Sequence, residues 1–120
     1  MYSLKIEIQG LPKTINAIGR KHWAVKMKEA QYWKATVGYS VADKRPPKPL
    51  KKARIVFIRY SSIPTDPDNL TSGFKHVLDG LICARVIEND KYVNIGMPEY
   101  RWERAKPREG KIRIEVYEVT

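Results

Sequence analysis

The sequence has few of the residues that build covalent cross-links or zinc sites. It contains one cysteine, Cys83, and two histidines among 120 residues. An internal disulfide and a multi-cysteine zinc site are therefore excluded, and the single thiol is typical of a reducing compartment, so we expect a cytoplasmic protein. No apolar run approaches the roughly 20 residues of a membrane-spanning helix, and the first residues lack a secretory signal pattern, so we expect no membrane partner.

Carboxylates are also scarce, and most of the aspartates lie in one short stretch. The chain has 13 Asp and Glu against 23 Lys and Arg, a net charge of +10. Residues 66–90 hold five acidic and two basic residues, a net charge of −3, so the rest of the chain carries +13. A small protein this basic usually binds a polyanion, most often nucleic acid. The acidic stretch is either ordinary helix-surface charge or a pocket for a divalent cation beside a phosphate backbone, because clustered carboxylates without a cation would repel one another.

The apolar pattern predicts one α+β domain over residues 1–120. Strands are predicted at 2–9, 53–60, 92–104 and 111–119, and helices at 24–42 and from Asn69 to about Ile82. The order is β-α-β-α-β-β, and we expect a two-layer sandwich with two main helices packed on a mixed or antiparallel sheet. The KPREG segment at 106–110 is typical of a hairpin turn between the last two strands.

Asp66 and Asp68 are the first candidates for a metal site. Pro67 restricts Asp66 to extended backbone. In an extended segment Asp66 and Asp68 lie on the same side, about 6–7 Å apart, which suits one or two Mg²⁺ ions. An Asp-Pro turn with Asp68 or Asn69 as the helix cap explains the same residues without a metal. Asp90 follows the helix in a short return loop that can bring it toward the start of the next strand.

Lys75 is a candidate for contact with a phosphate. It lies nearly two helical turns after Asp68 on almost the same face, and helical side chains lean toward the N-terminus. A surface ion pair with Asp79, four residues later, explains Lys75 equally well.

Three motifs resemble the signature of the RusA-type Holliday junction resolvases: DPDNL at 66–70, FKHVLDGL at 74–81 and VIEND at 86–90. The chain length, the early loop with Leu11, Pro12 and Asn16, and the final alternating strand extend the resemblance over nearly the whole chain. The resemblance implies a Mg²⁺-dependent homodimeric endonuclease of recombination and repair, with Mn²⁺ as a substitute metal and no small-molecule cofactor. Such enzymes resolve four-way DNA junctions by paired nicks and are often encoded by phages and prophages.

By position, the resemblance makes Asp66, Asp68 and Asp90 the catalytic metal ligands and Lys75 the essential lysine, while Asn16 would contact DNA. The sequence departs from the family pattern in three places. Asn89 stands where an acidic residue is usual, Thr65 stands where arginines are common, and the segment before FKHVLDGL is close to one helical turn longer than usual.

A set of basic residues is expected to face DNA, because phosphate contacts depend on Lys and Arg. They are Lys13, Arg20, Lys21, Lys51, Lys52, Lys106, Arg108 and Lys111, with Trp23, Tyr100 and Trp102 as candidate stacking partners. A non-catalytic nucleic-acid-binding accessory protein, or an RNA-binding protein, would show the same charge. The acidic stretch favours the nuclease, since a plain binding protein gains nothing from carboxylates that repel phosphate.

Overall fold

The computed structural model describes residues 1–13 and 23–120 of the chain, and these residues contain four strands and four helices. They form one compact α+β domain. The elements are β1 (Ser3–Gln9), α1 (Trp23–Val41), β2 (Ala53–Ser61), α2 (Pro67–Gly73), α3 (Lys75–Cys83), α4 (Tyr92–Ile95), β3 (Glu99–Arg104) and β4 (Lys111–Glu118). Within these residues no helix has the length and apolar character needed to cross a membrane.

The four strands form one mixed sheet in the order β1-β4-β2-β3. β4 pairs antiparallel with β1 on one side and with β2 on the other, so Ile114 faces both Ile6 and Phe57. β3 pairs in parallel with β2. The prediction of a mixed or antiparallel sheet is therefore confirmed in its mixed form.

The segment predicted as one strand at 92–104 contains a helix and a shorter strand. Val93, Ile95 and Met97 alternate as strand residues do, but Tyr92–Ile95 is a helical turn that ends at Gly96, whose φ is +59°. The strand begins only at Glu99. Because β3 pairs with β2 and lies two places from β4 in the sheet, residues 105–110 join non-adjacent strands. The predicted hairpin is therefore wrong.

One face of the sheet and the inner faces of the helices share a buried core, as the period of the apolar residues predicts. In β1 and β4 every second residue is buried, and α1 buries one side of its last turns. The main core residues are Leu4, Ile6, Ile8, Trp33, Val37, Val41, Ile55, Phe57, Phe74, Val77, Leu81, Ile112, Ile114 and Val116.

The helix predicted after Asn69 is divided at Phe74. The N–H of Phe74 donates to the carbonyl of Thr71 at 3.2 Å, three residues back, whereas Leu78 donates to Phe74 in the ordinary α-helical way at 2.9 Å. The break follows Ser72 and Gly73, a pair of residue types at which helices commonly kink. Phe74 itself is buried, and its ring stacks on Phe57 with centroids 4.7 Å apart. The spacing of Asp68 and Lys75 predicts two continuous helical turns between them. The break at Phe74 shows that this prediction is wrong.

Candidate functional site

Asp66 and Asp68 lie at the start of α2, and both side chains are exposed. Asp66 is extended, with φ −60° and ψ 148°, and Pro67 is the first helical residue. This confirms the effect predicted for Pro67. The helix cap is Asp66 and neither Asp68 nor Asn69, yet the Asp66 side chain makes no capping hydrogen bond. Both carboxylates therefore face solvent.

The expected 6–7 Å spacing of these carboxylates requires a continuous extended segment. Because α2 begins at Pro67, Asp68 is already in the first helical turn. Only Asp66 of the two therefore has the extended backbone that the spacing requires. Neither Asp66 nor Asp68 takes part in an ion pair with any residue whose position the structure gives.

Asp90 lies beside the beginning of β2. Just before Asp90, Ile87 pairs with Leu50 in an isolated parallel bridge. Just after it, the side-chain amide of Asn94 donates to the carbonyl of Lys51 at 2.9 Å. Both contacts tie the segment around Asp90 to the residues that precede β2, which starts at Ala53.

Asp66, in contrast, lies beyond the other end of β2. Its neighbour Thr65 lines a cavity together with Ser61, the last residue of β2, and Gly110, which precedes β4. Asp66 and Asp90 thus lie toward opposite ends of β2. The nine residues of this strand span about 30 Å at roughly 3.3 Å per residue.

The predicted three-aspartate pocket is consequently not formed within one chain. Among residues 1–13 and 23–120, no three side chains of His, Cys, Asp or Glu are close enough together to hold a metal ion. The reason is topological: α2 and α3 lead the chain from the end of β2 back to its beginning before Asp90 is reached. One chain thus offers two carboxylates at one end of β2 and the third at the other, which does not fit a three-carboxylate Mg²⁺ site.

Lys75 is the first residue of α3, and its side chain is exposed. The alternative surface pair with Asp79 is not formed. Asp79 instead lies 4.0 Å from His76, measured from Oδ2 to Nδ1. In the described part of the chain the ammonium of Lys75 has no ion-pair partner.

Those of the predicted DNA-binding residues whose positions the structure gives lie at both ends of the sheet. Asn16, Arg20 and Lys21 lie outside the described residues. Lys51 and Lys52 are exposed at the Asp90 end of β2. Lys13 is exposed as well, and its backbone N–H donates to the Glu29 carboxylate at 2.8 Å.

Two of the aromatic residues expected to stack on bases belong to the packing of the domain. The Tyr100 ring stacks on Phe57 with centroids 5.5 Å apart, and burial raises the pKa of its hydroxyl. The indole N–H of Trp102 donates to the Ser61 hydroxyl at 2.8 Å. Only Trp23 of the three is largely exposed, at 74%.

A cationic cavity at the Asp66 end of the sheet was not predicted from the sequence. It has a volume of about 810 Å³ and is lined by Arg59, Lys106 and Arg108 together with hydroxyl and backbone groups. Arg59 is half-buried, and burial lowers its pKa. The available signal was its position in β2, where strand alternation places it on the same face as the core residues Ile55 and Phe57.

Neither models of known protein families nor curated protein sequences give a match to this chain. The resemblance to RusA-type resolvases therefore remains a prediction that rests on the three motifs. The candidate site consists of the two exposed carboxylates, Asp66 and Asp68, and the cationic cavity at the same end of β2.

Proposed function

We propose that the protein is a structure-selective DNA endonuclease that cuts four-way junctions as a homodimer. The observation that carries the proposal is that groups of opposite charge lie at the same end of β2. Thr65 lines a cavity together with three cations, and the exposed carboxylates of Asp66 and Asp68 follow it directly in the chain. Such an arrangement suits a metal ion and a phosphate held side by side, since the carboxylates attract the one and the cations the other.

The proposal requires a second copy of the chain to complete the site. Asp90 lies too far along β2 to join Asp66 and Asp68 in the same chain. In a two-fold symmetric dimer, Asp66 and Asp68 of one protomer can adjoin Asp90 of the other, and symmetry then creates two equal sites. Two equal sites are also what paired nicks on a two-fold symmetric junction require.

The side chains have separate parts in this proposal. Mg²⁺ or Mn²⁺ bound by Asp66, Asp68 and a second copy's Asp90 would activate water for attack on phosphorus. Lys75 would offset negative charge that develops on the phosphate. The exposed lysines at both ends of β2 would bind the DNA backbone, so binding should weaken steeply as salt increases.

A non-catalytic nucleic-acid-binding protein is the second candidate. It is favoured by one observation, the absence of a three-carboxylate cluster among the described residues of a single chain. This candidate predicts the same salt-sensitive binding, no dependence on divalent ions, and no effect of Asp66→Asn on function.

Cleavage of a labelled four-way junction and a matched linear duplex, in Mg²⁺ or in EDTA, distinguishes the two candidates. The wild type, Asp68→Asn and the control Asp43→Asn should be compared. Asp43 is also an exposed aspartate, but it lies after α1 and pairs with Lys44 at 3.3 Å.

The nuclease predicts paired nicks in the junction with Mg²⁺, full activity of Asp43→Asn, and no cleavage by Asp68→Asn although that variant still binds. Tight junction binding without cleavage in Mg²⁺ or Mn²⁺ would reject the nuclease and support the binding protein.

A further inference from the structure

Arg59 carries a charge that no neighbouring group balances. Its Nη1 donates to the carbonyl of Pro12 at 2.8 Å, while its Nε is buried without a hydrogen-bond partner among the described residues. No carboxylate of that part of the chain forms an ion pair with it. Residues 14–22, TINAIGRKH, contain no Asp or Glu and cannot supply a carboxylate either.

An unbalanced guanidinium in this position is costly, because burial removes part of its hydration without supplying an opposite charge. The lowered pKa of Arg59 has this same cause, desolvation. An anion bound in the cavity that Arg59 lines would supply the missing charge.

The cavity around Arg59 is suited to such an anion. Lys106 and Arg108 line it as well, and Ser62 and Thr65 contribute hydroxyl groups. None of the described residues that line it is acidic. Three cations that converge on one concave space repel one another, and a bound anion offsets that repulsion.

The cationic surface continues beyond this cavity. Lys106 and Arg108 also line an adjoining cavity of about 1040 Å³, together with Arg104 and Lys111. Glu109 is the acidic residue among the groups that line this second space. A chain of phosphates, more than a single small anion, matches a positive surface that extends over two adjoining cavities.

We propose that the Arg59 cavity binds a backbone phosphate of a nucleic acid strand and so holds that strand next to Asp66. The planar guanidinium of Arg59 can donate two parallel hydrogen bonds to phosphate oxygens. Thr65 lines the cavity and directly precedes Asp66 in the chain. A phosphate bound in the cavity would therefore lie close to the Asp66 carboxylate. That the held strand is the one to be cut rests on the proposed nuclease function; the phosphate site itself does not.

The first test measures phosphate binding alone. Inorganic phosphate should raise the Tm of the wild type and of Arg54→Gln, but leave the Tm of Arg59→Gln unchanged. Arg54 is the matched control because it lies on the same strand but is exposed, 4.7 Å from the centroid of the Tyr117 ring. A wild type that phosphate does not stabilise, or an equal shift in Arg59→Gln, would overturn the proposal.

The second test measures junction binding in EDTA, where no cleavage occurs. Arg59→Gln should weaken binding about tenfold and lower the slope of log K against log salt by about 1, while Arg59→Lys, which keeps the charge but not the paired donors, should keep the slope and recover only part of the affinity. Wild-type affinity and slope in Arg59→Gln would contradict the phosphate site. If Arg59→Gln does not fold, as judged by circular dichroism, Lys106→Gln replaces it, because Lys106 is an exposed loop residue.

Failure of this inference can be told apart from failure of the nuclease proposal. Phosphate binding that depends on Arg59, in a protein that cuts no junction, would support the site and reject the nuclease. If the wild type cuts junctions with Mg²⁺ and Arg59→Gln binds phosphate and DNA as the wild type does, only the phosphate site at Arg59 would be rejected.

Discussion

Among residues 1–13 and 23–120, the carboxylates of Asp66 and Asp68 have no ion-pair partner, although the chain has 23 basic and 13 acidic residues. Two carboxylates on the sheet are paired, by contrast: Glu7 lies 3.2 Å from the Lys111 ammonium, and Glu115 lies 2.8 Å from the Arg113 guanidinium. Charges that stay unpaired among so many cations are available for a ligand. The same reasoning, with the sign reversed, applies to Arg59.

Replacement of Asp66 by Asn should tighten DNA binding when no metal is present. The carboxylate repels phosphate in EDTA, and an amide does not, so we expect affinity for the junction to rise about two- to fivefold. Fluorescence anisotropy in EDTA measures this change, with Asp43→Asn as a control of equal charge. Weaker binding by Asp66→Asn than by Asp43→Asn would show that Asp66 does not face the DNA.

Glu115 should make the stability of the domain depend on pH. A hydrogen bond from the Tyr117 hydroxyl and then one from Arg113 hold the pKa of Glu115 below its ordinary value. A lowered pKa means that this stabilisation is present above the ordinary carboxyl range, about pH 4–5, and is lost as the pH falls through the lowered value.

Glu115→Gln should therefore unfold more easily than the wild type at pH 7, by up to about 1 kcal/mol, and the difference should shrink near pH 3. Urea unfolding at the two pH values measures it. A difference of the same size at both pH values would show that the charge of Glu115 is not what stabilises the sheet.

What the sequence predicts for single residues depends on how local the cause is. Asp66 is extended because of its neighbour Pro67, and that was predictable. The guanidinium of Arg59 donates a hydrogen bond to the carbonyl of Pro12, 47 residues away, and no local sequence pattern indicates such a contact.

At the scale of elements, the close approach of α1 and α3 depends on Gly80. A Cβ at this position would lie 2.9 Å from Cβ of Val37 and 3.3 Å from the backbone Cα of Lys34. These distances are too short, and the atoms belong to a helix that cannot give way at low cost. Gly80 thus allows the two helices to approach each other this closely.

Gly80→Ala should lower the free energy of unfolding by about 1–3 kcal/mol, as overpacking of a core does. Gly38→Ala is the matched control. Gly38 lies in α1, and a Cβ there would meet nothing within 4 Å, so alanine should stabilise the helix by about 0.5–1 kcal/mol. Chemical denaturation of both variants measures the contrast, and equal effects would mean that the helices are packed less closely at Gly80.

The same distinction between local and distant causes explains which elements the sequence predicts. The bounds of β1, α1, β2 and β4 were predicted within a few residues. In each of these segments, the spacing of the apolar residues alone indicates the type of element. The helix break at Phe74 left the apolar spacing intact, and only Ser72 and Gly73 indicated it. The parallel pairing of β3 with β2 depends on contacts between distant segments, so the local alternation around Val93 was misleading.

At the scale of the whole molecule, charged groups that the proposed function requires are separated by the length of β2. Asp66 and the Arg59 cavity lie at one end, and Asp90 with Lys51 and Lys52 lies at the other. The sequence predicts each of these groups except Arg59, but the distance between them results from the return path of α2 and α3. The proposed dimer with shared sites would bring groups from both ends together.

Subunit mixing is the direct test of a site shared between two protomers. Asp68→Asn and Asp90→Asn should each be inactive on a four-way junction in Mg²⁺. If sites are shared, a mixed dimer has one site with both substitutions and one site with neither. Mixing and exchanging the two inactive variants should therefore restore nicking at one strand per junction.

Each variant mixed with itself, and each mixed with the double variant Asp68→Asn and Asp90→Asn, should remain inactive as controls. Shared sites predict nicking only in the mixture of the two single variants. Inactivity of that mixture, with subunit exchange verified by differently tagged chains, would contradict a site shared between two copies of the chain.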